Sequence, residues 1–317
     1  MISYIVRRVL YALPIALAVS IFCFCLVHIA PGDPITALVS PDAGPEVVEQ
    51  VRRDYGLDRP LPVQYALWLS RVVQGDFGRS IANGRPVLTE LWLAMQNTLV
   101  LSLVAATIGF VFGSVFGVLA GAFQGSWLDR GIVSFAVFGV SVPHYWLGMV
   151  LVIVFAVFFN ALPAVGAGPT SGEPFSFDWE HIRYIVLPAI TLSLIPCSVV
   201  TRNVRGLVAE VFNQDFIVTL RGKGMRRMAI LKHVTKNVAA NAIAIMGLQL
   251  GYMLGGSILV ETVFSWPGSG LLLNSAIFQR DIPVLQGTVL LLALIFVFLN
   301  LLVDLAQAAL DPRIQRA

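Results

Sequence analysis

The sequence predicts an all-α integral membrane protein. Six transmembrane helices are expected, with an extracytoplasmic helical subdomain after the first. Three observations carry this. Of the 317 residues, 57% are hydrophobic and only 12% charged, about half the charged share of an ordinary soluble domain. Six uncharged stretches, at 9–30, 98–123, 131–162, 184–201, 238–260 and 282–303, reach or approach the roughly 20 apolar residues needed to cross a hydrocarbon core. These runs lack the alternation of a barrel strand and exceed its length, which excludes a β-barrel.

The first stretch follows Arg7 and Arg8 and looks like a secretory signal. Residues 9–32 carry no charge over 24 positions, however, and a signal core spans only about 7–15 residues. An uncleaved first anchor is expected, making residues 1–30 a tail and a span. The next segment, 31–96, is too long for a linker and is patterned. Pro45 can open a helix in which Val47, Val51 and Tyr55 fall on one face, with Gly56 as its cap. A second helix is expected from Pro62, with Val63, Leu67 and Val72 as its apolar stripe, ending at Gly75. Asn83-Gly84 then marks a turn. This subdomain either meets a partner or is a structural cap.

The remaining five stretches make up a core over 97–317. Glycines recur at every fourth position in the second stretch (Gly109, Gly113, Gly117, Gly121) and in the fifth (Gly247, Gly251, Gly255). Such spacing lets helices approach closely, either within the chain or against a second subunit. Prolines punctuate the spans and bend them. Ser193 and Pro196 in the fourth and shortest stretch predict an irregular helix beside a cavity, or else a simple kink.

Lys and Arg fix the orientation. With the N-terminus inside, the cytoplasmic parts hold Arg7, Arg8, Arg130, eight residues within 202–236, Arg313 and Arg316. The short external loops hold only Arg183 and Arg280. Both termini are expected in the cytoplasm. The most informative segment is 215–236, where six of 22 residues are Lys or Arg, within a cytoplasmic region at 206–236. Helical apolar spacing flanks a Gly222-Lys223-Gly224 break, which predicts a short surface helix offered to a soluble partner.

The chemistry-bearing residues do not assemble into an enzyme. His28, His144, His181 and His233 are scattered without metal-ligand spacing. Cys23, Cys25 and Cys197 lie inside apolar runs. No phosphate-binding loop, nucleophile elbow or zinc-helix motif occurs. Carboxylates are missing from the span centres, with Glu261 and Asp304 near ends, which argues against proton coupling. Nothing points to nucleic acid.

Ordered motifs then run almost end to end. They include Tyr4-Ile5-Val6-Arg7-Arg8, Pro31-Gly32-Asp33-Pro34, Gly56-Leu57-Asp58-Arg59-Pro60 and Gly75-Asp76-Phe77-Gly78-Arg79-Ser80. Further on come Ser141-Val142-Pro143-His144-Tyr145-Trp146, Glu261-Thr262-Val263-Phe264-Ser265-Trp266-Pro267-Gly268, Arg280-Asp281-Ile282-Pro283 and Leu310-Asp311-Pro312-Arg313-Ile314. In these the chain resembles permease subunits of the dipeptide, oligopeptide and nickel class of ATP-binding cassette (ABC) importers.

The resemblance implies a non-catalytic subunit of an importer for di- or oligopeptides, with nickel, glutathione or another small solute as the alternative cargo. It implies a second, homologous permease as heterodimer partner, two ATPase subunits, an extracytoplasmic binding protein and surrounding lipid in a bacterial inner membrane. No cofactor belongs to this chain, since ATP and Mg sit in the ATPases. Asp215, Phe216, Thr219, Arg221, Lys223, Gly224, Arg226 and Arg227 take the ATPase-coupling position, although Arg226 and Arg227 also suit lipid phosphates or topology. Gly224 matches the family's glycine, whereas Asn241 stands where many relatives carry proline.

Asn97, Ser102, Ser141, Ser193 and Gln249 are the polar candidates for a translocation path, or for hydrogen bonds between helices. Glu261, with Phe264 and Trp266, is either a solvated carboxylate beside a connection or part of an external gate. A stand-alone sodium-coupled carrier is the alternative from a different class.

Overall fold

The computed structural model describes residues 2–29, 44–54, 58–169 and 175–310. The motif at 31–34, the cap expected at Gly56 and the C-terminal motif at 311–314 lie outside them. Among the described residues the backbone is helical, with one isolated bridge between Arg79 and Pro86. Helix α1 covers Ile2–Ile29. The subdomain supplies α2 (Pro45–Asp54) and α3 (Leu61–Val73), close to the expected helices. Gly75 and Gly84 hold φ near +83° and +71°, which suits glycine at these turns. The subdomain is seated on α1, where the Tyr65 and Ser20 hydroxyls are 2.7 Å apart and Tyr65 and Trp68 pack on Phe24.

Five further segments follow: α4 (Val87–Ala122), the pair α5 (Trp127–Ser141) and α6 (His144–Leu151), α7 (Trp179–Phe212), α9 (Arg227–Val263) and α11 (Ile282–Leu310). Four of these, α4, α7, α9 and α11, are long and apolar enough to cross a membrane alone, and the α5–α6 pair passes as one broken span. With α1 they occupy the six positions expected from hydropathy. Two short helices join them, α8 (Asp215–Gly222) and α10 (Ser269–Gln279).

Two expectations change, and the proline bend expected in the spans is found in the third stretch. It bends by 98° at Val142-Pro143 and continues through α6 into a π-helical segment at Val152–Phe158. Pro143 lacks the N–H that would continue α5 and sits before the first turn of α6. The fourth stretch is neither short nor irregular, because α7 runs 34 residues through Pro188 and Pro196. It is the buried centre of the bundle. Three of its hydroxyls bond along their own helix: Thr191 to the Leu187 carbonyl, Ser193 to that of Ile190 and Thr201 to that of Cys197. The basic region at 206–236 is mostly the end of α7 and the start of α9, leaving only 213–226 as the connection that carries α8.

The glycine stripe explains the centre. α4 and α7 run parallel, with Gly109, Gly113, Gly117 and Gly121 facing successive turns of α7 from Ser193 to Val208. A Cβ at Gly113 would lie 2.8 Å from the Cys197 carbonyl oxygen, and one at Gly117 would lie 2.7 Å from the Val204 Cβ. The stripe therefore packs within the chain. In the same way Gly247 faces Val303 and Gly251 faces Phe296, which makes α9 and α11 antiparallel; Gly255 has open space around it.

These pairings sort the ends of the bundle. One end gathers the start of α4, the start of α7, the end of α9, α10 and the start of α11. The opposite end gathers the end of α4, the start of α5, the end of α7, α8 and the start of α9. Arg130, Arg205, Arg221, Lys223, Arg226 and Arg227 share the second end, whereas Arg183 and Arg280 belong to the first. This is the segregation read from the charges.

Candidate functional site

Two constellations stand at these opposite ends. At the first, α9 stops at Val263 and the chain reverses through Phe264, Ser265 and Trp266 before entering α10. Ser265 takes a left-handed φ of 46°, unusual for serine, which makes the reversal tight. The carboxylate of Glu261 is enclosed by this turn. It accepts from the Thr98 hydroxyl of α4 at 2.8 Å and from the N–H groups of Gly270 at 2.6 Å and Leu271 at 3.1 Å, in the first turn of α10. Exposed N–H groups at a helix start suit an anion. Glu261 is wholly buried, so it is not a solvated surface carboxylate.

Trp266 and Phe264 are buried beside it. The Trp266 indole donates to the Asn97 carbonyl at 3.0 Å, and the Asn97 amide donates to the Pro267 carbonyl at 2.9 Å. α4 and the α9–α10 turn are thus joined by reciprocal bonds. Asn97 belongs to this cluster. From the other side Gly148 of α6 approaches the Phe264 ring, and Gly166 N–H donates to the Phe264 carbonyl at 2.8 Å.

The loop ahead of α7 lies over the cluster. Phe175 stacks near both Trp266 and His181, with ring centroids 5.6 and 5.8 Å away. His181 is held by Asp178, which caps α7. The Ser176 hydroxyl and the His181 N–H groups hold the Asp178 carboxyl well below the usual carboxylate range.

Sequence reasoning passed over one further carboxylate at this end. Asp281, buried at the α10–α11 corner, accepts from the Ser80 hydroxyl at 2.5 Å and the Ala82 N–H at 3.2 Å. It ties the subdomain's last turn to the core. Its one signal in the sequence is the motif Arg280-Asp281-Ile282-Pro283. α10 itself was also missed, because residues 269–279 resemble the start of the next apolar run.

At the opposite end, α7 passes through Asn213 and Gln214 into α8. Asp215, Phe216, Thr219 and Arg221 lie on α8, and Lys223, Gly224 and Arg226 form the turn into α9, which begins at Arg227. Gly224 has φ near +72°, so the turn needs a residue free to adopt the left-handed region. Ile217 is buried against α7 and α9, whereas Val218 of α8 and Met228 beyond the turn are exposed. The Arg227 guanidinium lies 4.7 Å from the Phe123 ring centre at the end of α4. The structure brings all eight residues expected at the coupling position into one helix–turn–helix element.

The other polar candidates are dispersed. Ser102 is buried on α4, and Ser193 is buried on α7 with its hydroxyl on the Ile190 carbonyl. Ser141 is exposed at the α5–α6 bend and Gln249 is buried on α9. Among the described residues no group of three His, Cys, Asp or Glu side chains is placed to hold a metal ion.

Comparison with known proteins agrees with this architecture. Residues 113–316 match the family of binding-protein-dependent transport system inner membrane components, and residues 1–107 match the N-terminal region of such membrane components. The chain is 38% identical over 316 residues to the glutathione transport system permease protein GsiC of Escherichia coli K12, covering 99% of each chain. It is equally similar to the protein of that name from Salmonella choleraesuis. Among solved structures, an inward-facing conformation of the MetNI methionine ABC transporter superposes with a TM-score of 0.58 at 17% identity, over 70% of this chain and 96% of that one. That likeness concerns the fold.

Proposed function

The chain belongs to the family of binding-protein-dependent transport system inner membrane components, as a permease of the peptide and nickel class of ABC importers, and we propose that it carries small peptides inward. Glutathione, itself a tripeptide, falls within that cargo class. The observation that carries this is the 38% identity, end to end, to a glutathione permease. A peptide offers charged termini and amide groups, which a path between helices meets with polar side chains. Asn97, Ser102, Ser141, Ser193 and Gln249 remain the candidates, with Ser141 at the bend the most accessible of them.

In this reading the basic end faces the cytoplasm, with both termini, and 213–226 docks an ATPase subunit. A second, similar permease completes the membrane pair, and a binding protein delivers cargo to the opposite face. ATP binding and hydrolysis act through differential contact at α8, as a two-state switch requires. Glu261, Phe264 and Trp266, with Asn97, form the outer seal.

The test is uptake by the full complex in proteoliposomes. Labelled glutathione and a labelled dipeptide should accumulate only with ATP, both permeases, the ATPases and the binding protein, and each should compete with the other. Uptake by this chain alone under a sodium gradient would overturn the reading.

A further inference from the structure

A bidentate ion pair joins two elements at the basic end. Ser126 caps α5, its hydroxyl accepting from the Asp129 N–H. Asp129 is only 3% exposed, and its second oxygen also accepts from the Gly125 N–H at 2.9 Å. The Arg205 guanidinium of α7 closes on this carboxylate through Nε at 2.5 Å and Nη2 at 2.8 Å. Two parallel N–H···O bonds fix orientation as well as distance. Arg205 lies on the final turns of α7, which lead through Asn213 and Gln214 into α8.

Elsewhere α5 packs through small or apolar groups: its other buried residues are Ala136 and Gly139, and Phe135 meets Phe116 of α4 edge-on. Gly139 packs against Ser198 and Leu194 of α7, and after the 98° bend Gly148 of α6 packs against Phe264. Apolar packing of this kind lets helices slide, whereas the two-pronged ion pair fixes their angle.

We propose that Asp129 and Arg205 are a positioning pair that makes α5 move as one body with α7 and α8. Displacement of the docking segment then reaches the bent helix and, through Gly148, the Phe264 side of the outer seal. This rests on the reading of α8 as the ATPase contact. The fork geometry is essential to it, because a point charge would neutralise Asp129 without holding the angle between the helices.

The experiment uses the complete importer in nanodiscs, in a cysteine-free background with spin labels at Leu128→Cys on α5 and Glu210→Cys in the last turn of α7, both exposed positions outside the docking segment. The label separation should be the same without nucleotide and with ATP bound. In Arg205→Lys and in Asp129→Asn with Arg205→Gln it should change with nucleotide. Uptake per ATP hydrolysed should fall roughly tenfold in both variants, within the usual range of coupling between sites, with the ATPases still copurifying. A nucleotide-dependent separation in the unsubstituted pair overturns the proposal without recourse to any variant. So does an Arg205→Lys complex with the normal ratio of uptake to hydrolysis. If Val218→Arg leaves ATPase binding and coupling intact, the docking reading falls instead.

Discussion

Thr98 of α4 donates to Glu261 of α9 at 2.8 Å, with both side chains wholly out of solvent. The Thr98 oxygen also accepts from the Ser269 N–H at 2.7 Å, so one hydroxyl joins α4 to the end of α9 and the start of α10. Replacing Glu261 by Ala strips acceptors from Thr98, Gly270 and Leu271. Each buried donor left unpaired costs about 1–3 kcal/mol. The variant should unfold at a clearly lower temperature in detergent, whereas Thr98→Ser, which keeps the hydroxyl, should stay near the parent. Equal melting of all three proteins would show that the carboxylate contributes nothing.

The proposed outer seal is tested more gently by Trp266→Phe. This keeps an aromatic ring under Phe175 and removes the N–H that reaches Asn97. Basal ATPase activity of the assembled complex, measured without binding protein, should rise severalfold as the outer closure loosens. Unchanged basal activity in a normally assembled complex would reduce the cluster to a structural joint.

Gly224→Val places a β-branched residue at φ near +72°, where such side chains are strained by about 1–3 kcal/mol. The turn between α8 and α9 should re-form elsewhere and misplace α8, the proposed docking helix. Membrane insertion should persist while uptake falls and hydrolysis is uncoupled from it. Normal uptake would remove 213–226 from the coupling role.

Gly117→Val and Gly131→Ala make a paired test of helix contact. The first pushes a side chain into Val204, where overpacking costs about 1–3 kcal/mol. The second adds a methyl into open space within α5 and should stabilise by about 0.5–1 kcal/mol. Thermal unfolding and folded yield should move in opposite directions.

Asp281→Asn weakens the clamp from Ser80 and Ala82 to the α10–α11 corner. ATPase stimulation by loaded binding protein should drop more than basal hydrolysis, because the subdomain loses its fixed seat. A proportional loss of both would make the subdomain a cap and nothing more.

The sequence by itself determined what depends on local composition. Run lengths placed the spans, loop charges sorted their ends, and Pro45, Pro62 and Asn83-Gly84 located the subdomain's helices and turn. The Gly224 break separated α8 from α9. Ordered motifs set the family, and the end-to-end identity bears that out.

Tertiary structure decided which partner each residue meets. Four glycines on one helix face predict a close neighbour, but only the folded bundle makes that neighbour α7. Two prolines predict a weakened helix, yet α7 stays whole, buried at the centre of the bundle. The sequence left Glu261 open between a solvated carboxylate and part of a gate, and it gave no sign of Asp129. Each is buried by groups distant in the chain, 163 residues away for Thr98 and 76 for Arg205. Hydropathy sums over neighbours in sequence, whereas the free energy of a buried charge is set by neighbours in space.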